Sequence, residues 1–270
     1  ADFSIATNES YREVAIRRGG MKPEKVAVVQ TCASLEETNR AISQLHRNGH
    51  NGNGNGNGNG SYYGNANGNG NGHHDYSDQN GHHHTPVVVY VGTIGPQDGV
   101  DLLLESASYI TKKKGRRDIR FVIVGSGSEL PRLKVMASEL YLNSNFDFIG
   151  RIDHDKVDSH LAGSDICVAP DPRNSFTDNC SMIKIFEYMA HAKPIVLFDL
   201  KEGRRSAGEA ALYARPNDPE DFAEQILKLL DSEQLRHRLG ECGRKRVDET
   251  FNWEIQSKKL VDAYHAVLNG

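Results

Sequence analysis

The chain has 270 residues, 37% hydrophobic and 25% charged, and its 32 Lys and Arg against 36 Asp and Glu give a formal net charge of −4. That is enough apolar material for one good core with a large part of the chain left outside it, and the mild acidity, with no basic run interleaved with aromatics, argues against nucleic acid as a partner. Cys32, Cys167, Cys180 and Cys242 stand far apart without a CxxC pair, which signals neither zinc nor a disulfide framework and suits a reducing cytoplasm, and no apolar run approaches the roughly 18 residues of a transmembrane helix.

The chain starts at Ala1, without Met or signal peptide and in mid-motif, and reads as a piece of a longer protein. Phe3 to Ala6 suggests a short strand, Glu9 to Arg18 a helix stopped by Gly19-Gly20, and Lys25 to Val29 a strand; alone, this segment lacks a sheet to join. Ser34 and Glu37 form a capping-box pattern for a helix through Leu45, with Leu35, Ile42 and Leu45 on its apolar side. From Asn48 to about His84 the chain is Asn-Gly repeats with Ser, Tyr and His, a composition that cannot offset its chain entropy by burial, so disorder is expected. His73, His74, His82, His83 and His84 have the chemistry of metal ligands, but clustered His in such a tract more often holds nothing specific, and no metal is assigned.

Order is expected to resume at Pro86. Val87 to Val91 is an apolar, β-branched run of the kind found in strands covered on both faces. A turn from Gly92 to Val100 leads into a helix whose Leu102, Leu103, Ala107 and Ile110 face the sheet. Phe121 to Val124 is a second strand, followed by Gly125-Ser126-Gly127 and a helix through Leu140; a lone GxG is weak as a nucleotide signal. A strand at Phe146 to Ile149, a helix at Val157 to Leu161 and a strand at Ile166 to Ala169 continue the alternation. Such alternation means an α/β, Rossmann-like, doubly wound parallel sheet, whose ligands lie beyond the carboxyl ends of the strands. Here those ends are the turns at 92–97, 125–128, 150–152 and 171–181. Without a GxGxxG and a downstream acid after the first strand, a dinucleotide-dependent oxidoreductase is disfavoured. Later, Asp218 to Leu230 is an amphipathic helix, and a last helix from Trp253 to Leu268 carries an apolar stripe of Trp253, Leu260, Tyr264 and Val267 that Gln256 interrupts.

The most informative stretch is Asp171 to Leu200, a polar loop, a helix and a buried strand. Met182, Ile185, Phe186 and Met189 make one apolar stripe, while Lys184 and Glu187 lie three residues apart on the other side. Asp178, Asn179 or Ser181 can cap that helix; free N–H groups at its start would suit an anion, and Lys184 would add a positive charge. Glu187, one turn deeper, is an acceptor suited to a sugar diol. A capped, buried helix carrying a solvated Lys–Glu pair reads the same way locally.

The strings SMIKIFEYMAHAKPIV and FDLKEGRRSAGEAALYA resemble the donor-binding half of glycosyltransferase family 4, retaining enzymes of the GT-B fold that use nucleotide sugars. The resemblance runs from Val87 to the end. It implies that residues 1–35 close the preceding, acceptor-binding domain and lead across, that 36–85 are a connection carrying the low-complexity insertion, and that 86–270 are the donor domain with a crossing C-terminal helix. Of the two family glutamates spaced eight apart, Glu187 matches the second, the ribose ligand, while Asn179, with Asp178 beside it, stands at the first. Where the family's first turn holds the diphosphate with Arg and Lys, this chain has Thr93 and Asp98, which leaves the N–H groups near Gly95 and the Lys184 ammonium to do so. FIGRID matches the base-reading turn, making Arg151 and Ile152 candidates there, although Arg151 also reads as a plain surface arginine. The resemblance implies transfer of a hexosyl group from a nucleotide sugar to a glycan or lipid-linked acceptor without metal or other cofactor, with Lys184 as the catalytic group and Gly125 among the donor contacts. It also implies that the acceptor, and any peripheral membrane association, belong to the first domain. The rival reading is a non-catalytic nucleotide-binding or protein-interaction module whose low-complexity tract is the functional part.

Overall fold

The computed structural model of the chain describes residues 2–50 and 85–268. The Asn-Gly tract at 51–84, with its expected disorder and its histidines, lies outside them. The N-terminal segment is a βαβ unit made of β1 (Ser4–Ala6), α1 (Glu9–Arg17) and β2 (Val26–Val28). Contrary to the expectation that these strands have nothing to join, they pair with each other in parallel, Ser4 opposite Val26 and Ala6 opposite Val28. α2 (Leu35–His50) runs five residues past the expected end at Leu45.

The main body alternates strand and helix: β3 (Val87–Val91), α3 (Val100–Lys113), β4 (Arg120–Val124), α4 (Leu130–Glu139), β5 (Phe146–Gly150), α5 (His154–Ala162), β6 (Ile166–Ala169), α6 (Ile183–Ala190), β7 (Ile195–Phe198), α7 (Lys201–Ala207), β8 (Ala211–Ala214), α8 (Pro219–Leu230), α9 (Glu233–Glu249) and α10 (Trp253–Leu268). The sheet is parallel throughout, in the order β5-β4-β3-β6-β7-β8. A parallel sheet needs both faces covered, and the period of two in a strand divides each run between them. Val88 and Tyr90 join Leu103, Leu104, Ile110, Leu133, Phe222 and Ile226 of α3, α4 and α8 on one face. Val89 joins Leu161, Ile185, Phe186, Met189 and Val247 of α5, α6 and α9 on the other.

Three sequence expectations are corrected. The buried stripe of α3 uses Leu104 in place of Leu102, which is only partly covered. On α10 part of the stripe, Trp253 and Tyr264, is 53% and 59% exposed, as anticipated with the first domain missing, but the polar Gln256 that interrupts it is buried, as is Ala263: the Oε1 of Gln256 accepts from Gln30 N at 2.9 Å and its Nε2 donates to Thr250 O at 2.8 Å. The polar interruption is therefore the point of attachment. Finally, α7, β8 and α9 were not foreseen. β8 is four residues long, and α9 is so rich in charge that its inward Leu239, Gly240, Gly243 and Val247 make no recognisable apolar stripe.

Candidate functional site

Strand order reverses between β3 and β6, so the crevice beyond their carboxyl ends is where this architecture places a ligand. One wall is the turn after β3. It is stitched to the turn after β4 by Gly92 N to Val124 O and Ile94 N to Ser126 O, each 3.0 Å. Gly125, a candidate contact, sits at φ +143° where an added Cβ would lie 1.8 Å from Gly92 O, and its N–H donates to Gly150 O at 2.9 Å. Its role in the turn is to let two backbones touch. Gly99 does the same between the walls, with φ +67° and a notional Cβ 1.9 Å from Pro170 O.

Asp98 overturns what was expected of this turn. Its Oδ2 accepts from Gly95 N at 2.9 Å, so the N–H assigned to a phosphate is already taken by a side chain. Its Oδ1 faces Lys184 Nζ at 3.7 Å. Thr93 is exposed, and its carbonyl accepts from Tyr90 OH at 2.5 Å.

The other wall is the loop from Asp171 into α6. Lys184, expected as the phosphate's cation and alternatively as half of a solvated pair with Glu187, is 8% exposed, because α6 is covered on the side facing the strand ends as well as on its apolar stripe. Its Nζ donates to Asp171 Oδ1 at 2.8 Å and to Tyr90 OH at 3.4 Å, and lies 4.8 Å from the centre of the Tyr90 ring. Burial works against the ammonium, but the charge and hydrogen bond of Asp171 together with the charges of Tyr90 and Asp98 outweigh it, and the pKa of Lys184 is raised. The second oxygen of Asp171, Oδ2, is buried without a partner among the described residues. One cation thus stands between two carboxylates, which leaves it little charge to offer an incoming phosphate.

None of the three proposed caps serves α6. Asp178 Oδ1 accepts from Lys201 N at 2.9 Å, Asn179 Nδ2 donates to Ser175 O at 2.9 Å, and Ser181 Oγ donates to Glu202 Oε2 at 3.4 Å. The N-cap position is Met182, with no side-chain cap, so the first N–H groups of α6 remain open to an anion. Glu187 lies one turn further on. It is half-buried, makes no side-chain hydrogen bond among the described residues, and burial raises its carboxyl above the ordinary range, with the charge of His154 opposing. Arg151 is exposed at the end of β5, and Ile152 is half-buried against the α6 side of the core. Among the described residues no cluster of His, Cys, Asp and Glu is arranged to hold a metal.

The loop and Lys184 therefore come together with the β3 turn through Asp171, Asp98 and Tyr90, whereas the charged groups near Glu187 are Lys184 and, on α5, His154 and Asp158. Sequence reasoning missed Asp171, Asp98 as a partner of Lys184, and Tyr188, whose fully buried hydroxyl accepts from Val91 N at 2.9 Å and lies 3.3 Å from Val168 O, fastening α6 to the ends of β3 and β6. The only signal for Asp171 was its place as the first polar residue after a buried strand.

A doubly wound parallel sheet of this strand order, flanked by helices, is the fold of the C-terminal half of a GT-B glycosyltransferase. Residues 74–246 match the family described as glycosyl transferases group 1, and the chain belongs to that family. It is 30% identical over 168 residues to an uncharacterized glycosyltransferase of Methanocaldococcus jannaschii, covering 62% of this chain and 44% of that protein. It is 26% identical over 184 residues to the alpha-D-kanosaminyltransferase of Streptomyces kanamyceticus, covering 67% and 46%. In structure it is similar to Anabaena HepE in complex with UDP, with TM-score 0.69, 14% identity, and coverage of 98% of this chain and 64% of that one. The chain spans about half the length of the curated relatives it matches.

Proposed function

We propose that this chain is the donor-binding part of a retaining, nucleotide-sugar-dependent glycosyltransferase that moves a hexosyl group to a glycan or lipid-linked acceptor in the cytoplasm. The observation that carries the reading is Glu187, a half-buried carboxylate with no hydrogen-bond partner among the described residues, one turn beyond an uncapped helix start. The carboxylate accepts the ribose hydroxyls, and the open amides of α6 receive the diphosphate. As the sugar leaves, charge develops on that diphosphate and the open amides of α6 stabilise it, while Lys184, held charged by Asp171 and faced by Asp98, anchors this wall with its hydrogen bonds inside the protein. In this reading residues 1–35 close an acceptor-binding domain, 36–85 connect, and 86–270 bind donor. The acceptor, and any membrane surface, meet the other domain. Solved relatives hold UDP and UDP-glucose, which supports a nucleotide sugar as donor.

Calorimetry with UDP and GDP tests this. One of them should bind the unmodified chain, and Glu187→Gln should weaken it roughly tenfold to a hundredfold, the loss of a charge-assisted hydrogen bond. Equal binding by the variant would remove Glu187 from the ribose role. Incubated alone with radiolabelled nucleotide sugars and acceptors, the chain should transfer nothing, since positioning of the acceptor accounts for about 7–11 kcal/mol of barrier in favourable cases. A second reading, a nucleotide-binding module without catalysis, draws on one observation, the occupation of Gly95 N–H and the facing of Lys184 by Asp98.

A further inference from the structure

The start of α6 has no side-chain cap, yet Asn179 and Ser181, just before Met182, are held from outside. Asn8 is completely buried and caps α1, its Oδ1 accepting from Tyr11 N at 2.7 Å. Its Nδ2 faces away from α1 and donates to Asn179 O at 3.0 Å and to Ser181 Oγ at 3.2 Å. The two sides settle the orientation of the amide, since an N–H requires the oxygen and a carbonyl requires the nitrogen. Beside it, the fully buried Glu202 of α7 accepts from Ser10 N at 3.1 Å and from Arg205 Nη1 at 2.8 Å on one oxygen, and from Ser181 Oγ at 3.4 Å on the other. Ser181 is thus gripped by a residue from the N-terminal segment and by one from the donor body. The residue before it in that grip, Asn179, is held through its backbone carbonyl, so its direction does not depend on its own side chain.

We infer that Asn8 is a positioning residue for the donor diphosphate: it sets the direction of the chain entering α6, and with it the aim of the open amides at Ile183 and Lys184. The inference rests on the donor-site reading above and extends it to a residue that lies before the low-complexity tract, outside the part of the chain that binds the nucleotide. The donor site is then complete only when α1 is seated on it.

The substitution that isolates this role is Asn8→Asp. Aspartate caps a helix as well as asparagine does, so Tyr11 N keeps its acceptor, but the donor to Asn179 O and Ser181 Oγ is lost and a carboxylate is set against them. Asn8→Ser is the companion variant; it retains a capping oxygen, adds no charge and is too short to reach the loop. For both we expect UDP or GDP, whichever the unmodified chain binds, to lose about tenfold in affinity while the bare nucleoside loses less than half as much on a logarithmic scale, because the amides face the phosphates and not the base. Hydrogen exchange at residues 180–184 should quicken about tenfold with exchange in β3, β4 and β6 unchanged. A residue that merely stabilised the fold would speed exchange across the sheet and leave the ratio of nucleotide to nucleoside affinity unmoved, and that result overturns the inference. So does unaltered exchange at 180–184 in Asn8→Ser. If the unmodified chain binds neither nucleotide, the donor reading itself falls, whereas the exchange experiment, which needs no nucleotide, still decides whether Asn8 holds the loop.

Discussion

The two walls of the crevice contrast in how much of their polarity is already committed. In the β3 turn, Gly95 N–H, the Thr93 carbonyl and both oxygens of Asp98 have partners within the protein. In the β6–α6 wall the helix start has no side-chain cap and Glu187 makes no side-chain hydrogen bond among the described residues. A satisfied polar network rigidifies a site, and an unsatisfied one invites a ligand. The first wall therefore acts as the anvil and the second as the hand. Lys184 stands at the boundary, belonging to the second wall by sequence and to the first by its hydrogen bonds.

The largest effect should come from breaking that boundary. Lys184→Ala leaves Asp171 and Asp98 buried without their cation, and removing one partner of a buried pair costs about 3–5 kcal/mol. At about 2–4 °C per kcal/mol for a chain of this size, thermal unfolding should move down by roughly 10 °C. A melting point unchanged within a degree or two would mean that the ammonium is free to serve the phosphates directly.

Glu187→Gln sharpens the contrast from the other side. Burial raises the pKa of this carboxyl, so the folded chain holds its proton at higher pH than the unfolded chain does. Stability is then lost as pH rises from the unfolded value through the folded one, and at neutral pH the ionised group is a net burden. The variant should melt at the same temperature as the parent or slightly above while binding nucleotide worse. In the parent, nucleotide affinity should fall on acidification at a higher pH than an ordinary glutamate would give. A variant that melts lower would place Glu187 among the groups that hold the fold.

Asp98→Asn keeps an oxygen for Gly95 N–H and removes a negative charge facing Lys184. UDP or GDP affinity should rise a few-fold as the ammonium is less neutralised, with the change largest at low salt. A fall in affinity would show that the carboxylate itself belongs to the binding surface.

Much of this was legible beforehand. Val87–Val91, Phe121–Val124 and Ile166–Ala169 announce themselves because strands buried on both faces must be apolar along their length. Glu187 was placed by the helical spacing of its neighbours and by the family resemblance. The partners of Lys184 were not, because Asp98 and Asp171 reach it only when two loops from different strands fold together. The same holds for Asn8, which lies 171 positions from Asn179 and looks locally like an ordinary helix cap. On α10 the exposure of Trp253 and Tyr264 was anticipated but the burial of Gln256 was not, since periodicity reports which face is apolar and not which polar group a partner surface holds.

The smallest expected effect concerns the far side of α1, where Glu13 bridges Lys201 and Arg205. The hydrogen bond from Lys201, then that from Arg205, lowers its carboxyl from 4.5 to about 2. Its contribution is present above the unfolded value and lost as pH falls toward about 2. With the side chain 40% exposed, solvent screening keeps that contribution below about 1 kcal/mol. Glu13→Gln should shift the melting point by a degree or two at neutral pH and not at all near pH 2.

The attachments of the N-terminal segment also set a schedule for synthesis. Ser10 waits for Glu202, 192 residues later, and Gln30 for Gln256, 226 residues later. At roughly 5–20 residues per second a ribosome delivers that last partner about 10–45 s after Gln30 itself. Through that interval the backbone N–H groups of Ser10 and Gln30 lack the acceptors that the finished fold gives them. Yield of folded protein should therefore depend on translation rate and on chaperones that shield the N-terminal segment until its partners arrive.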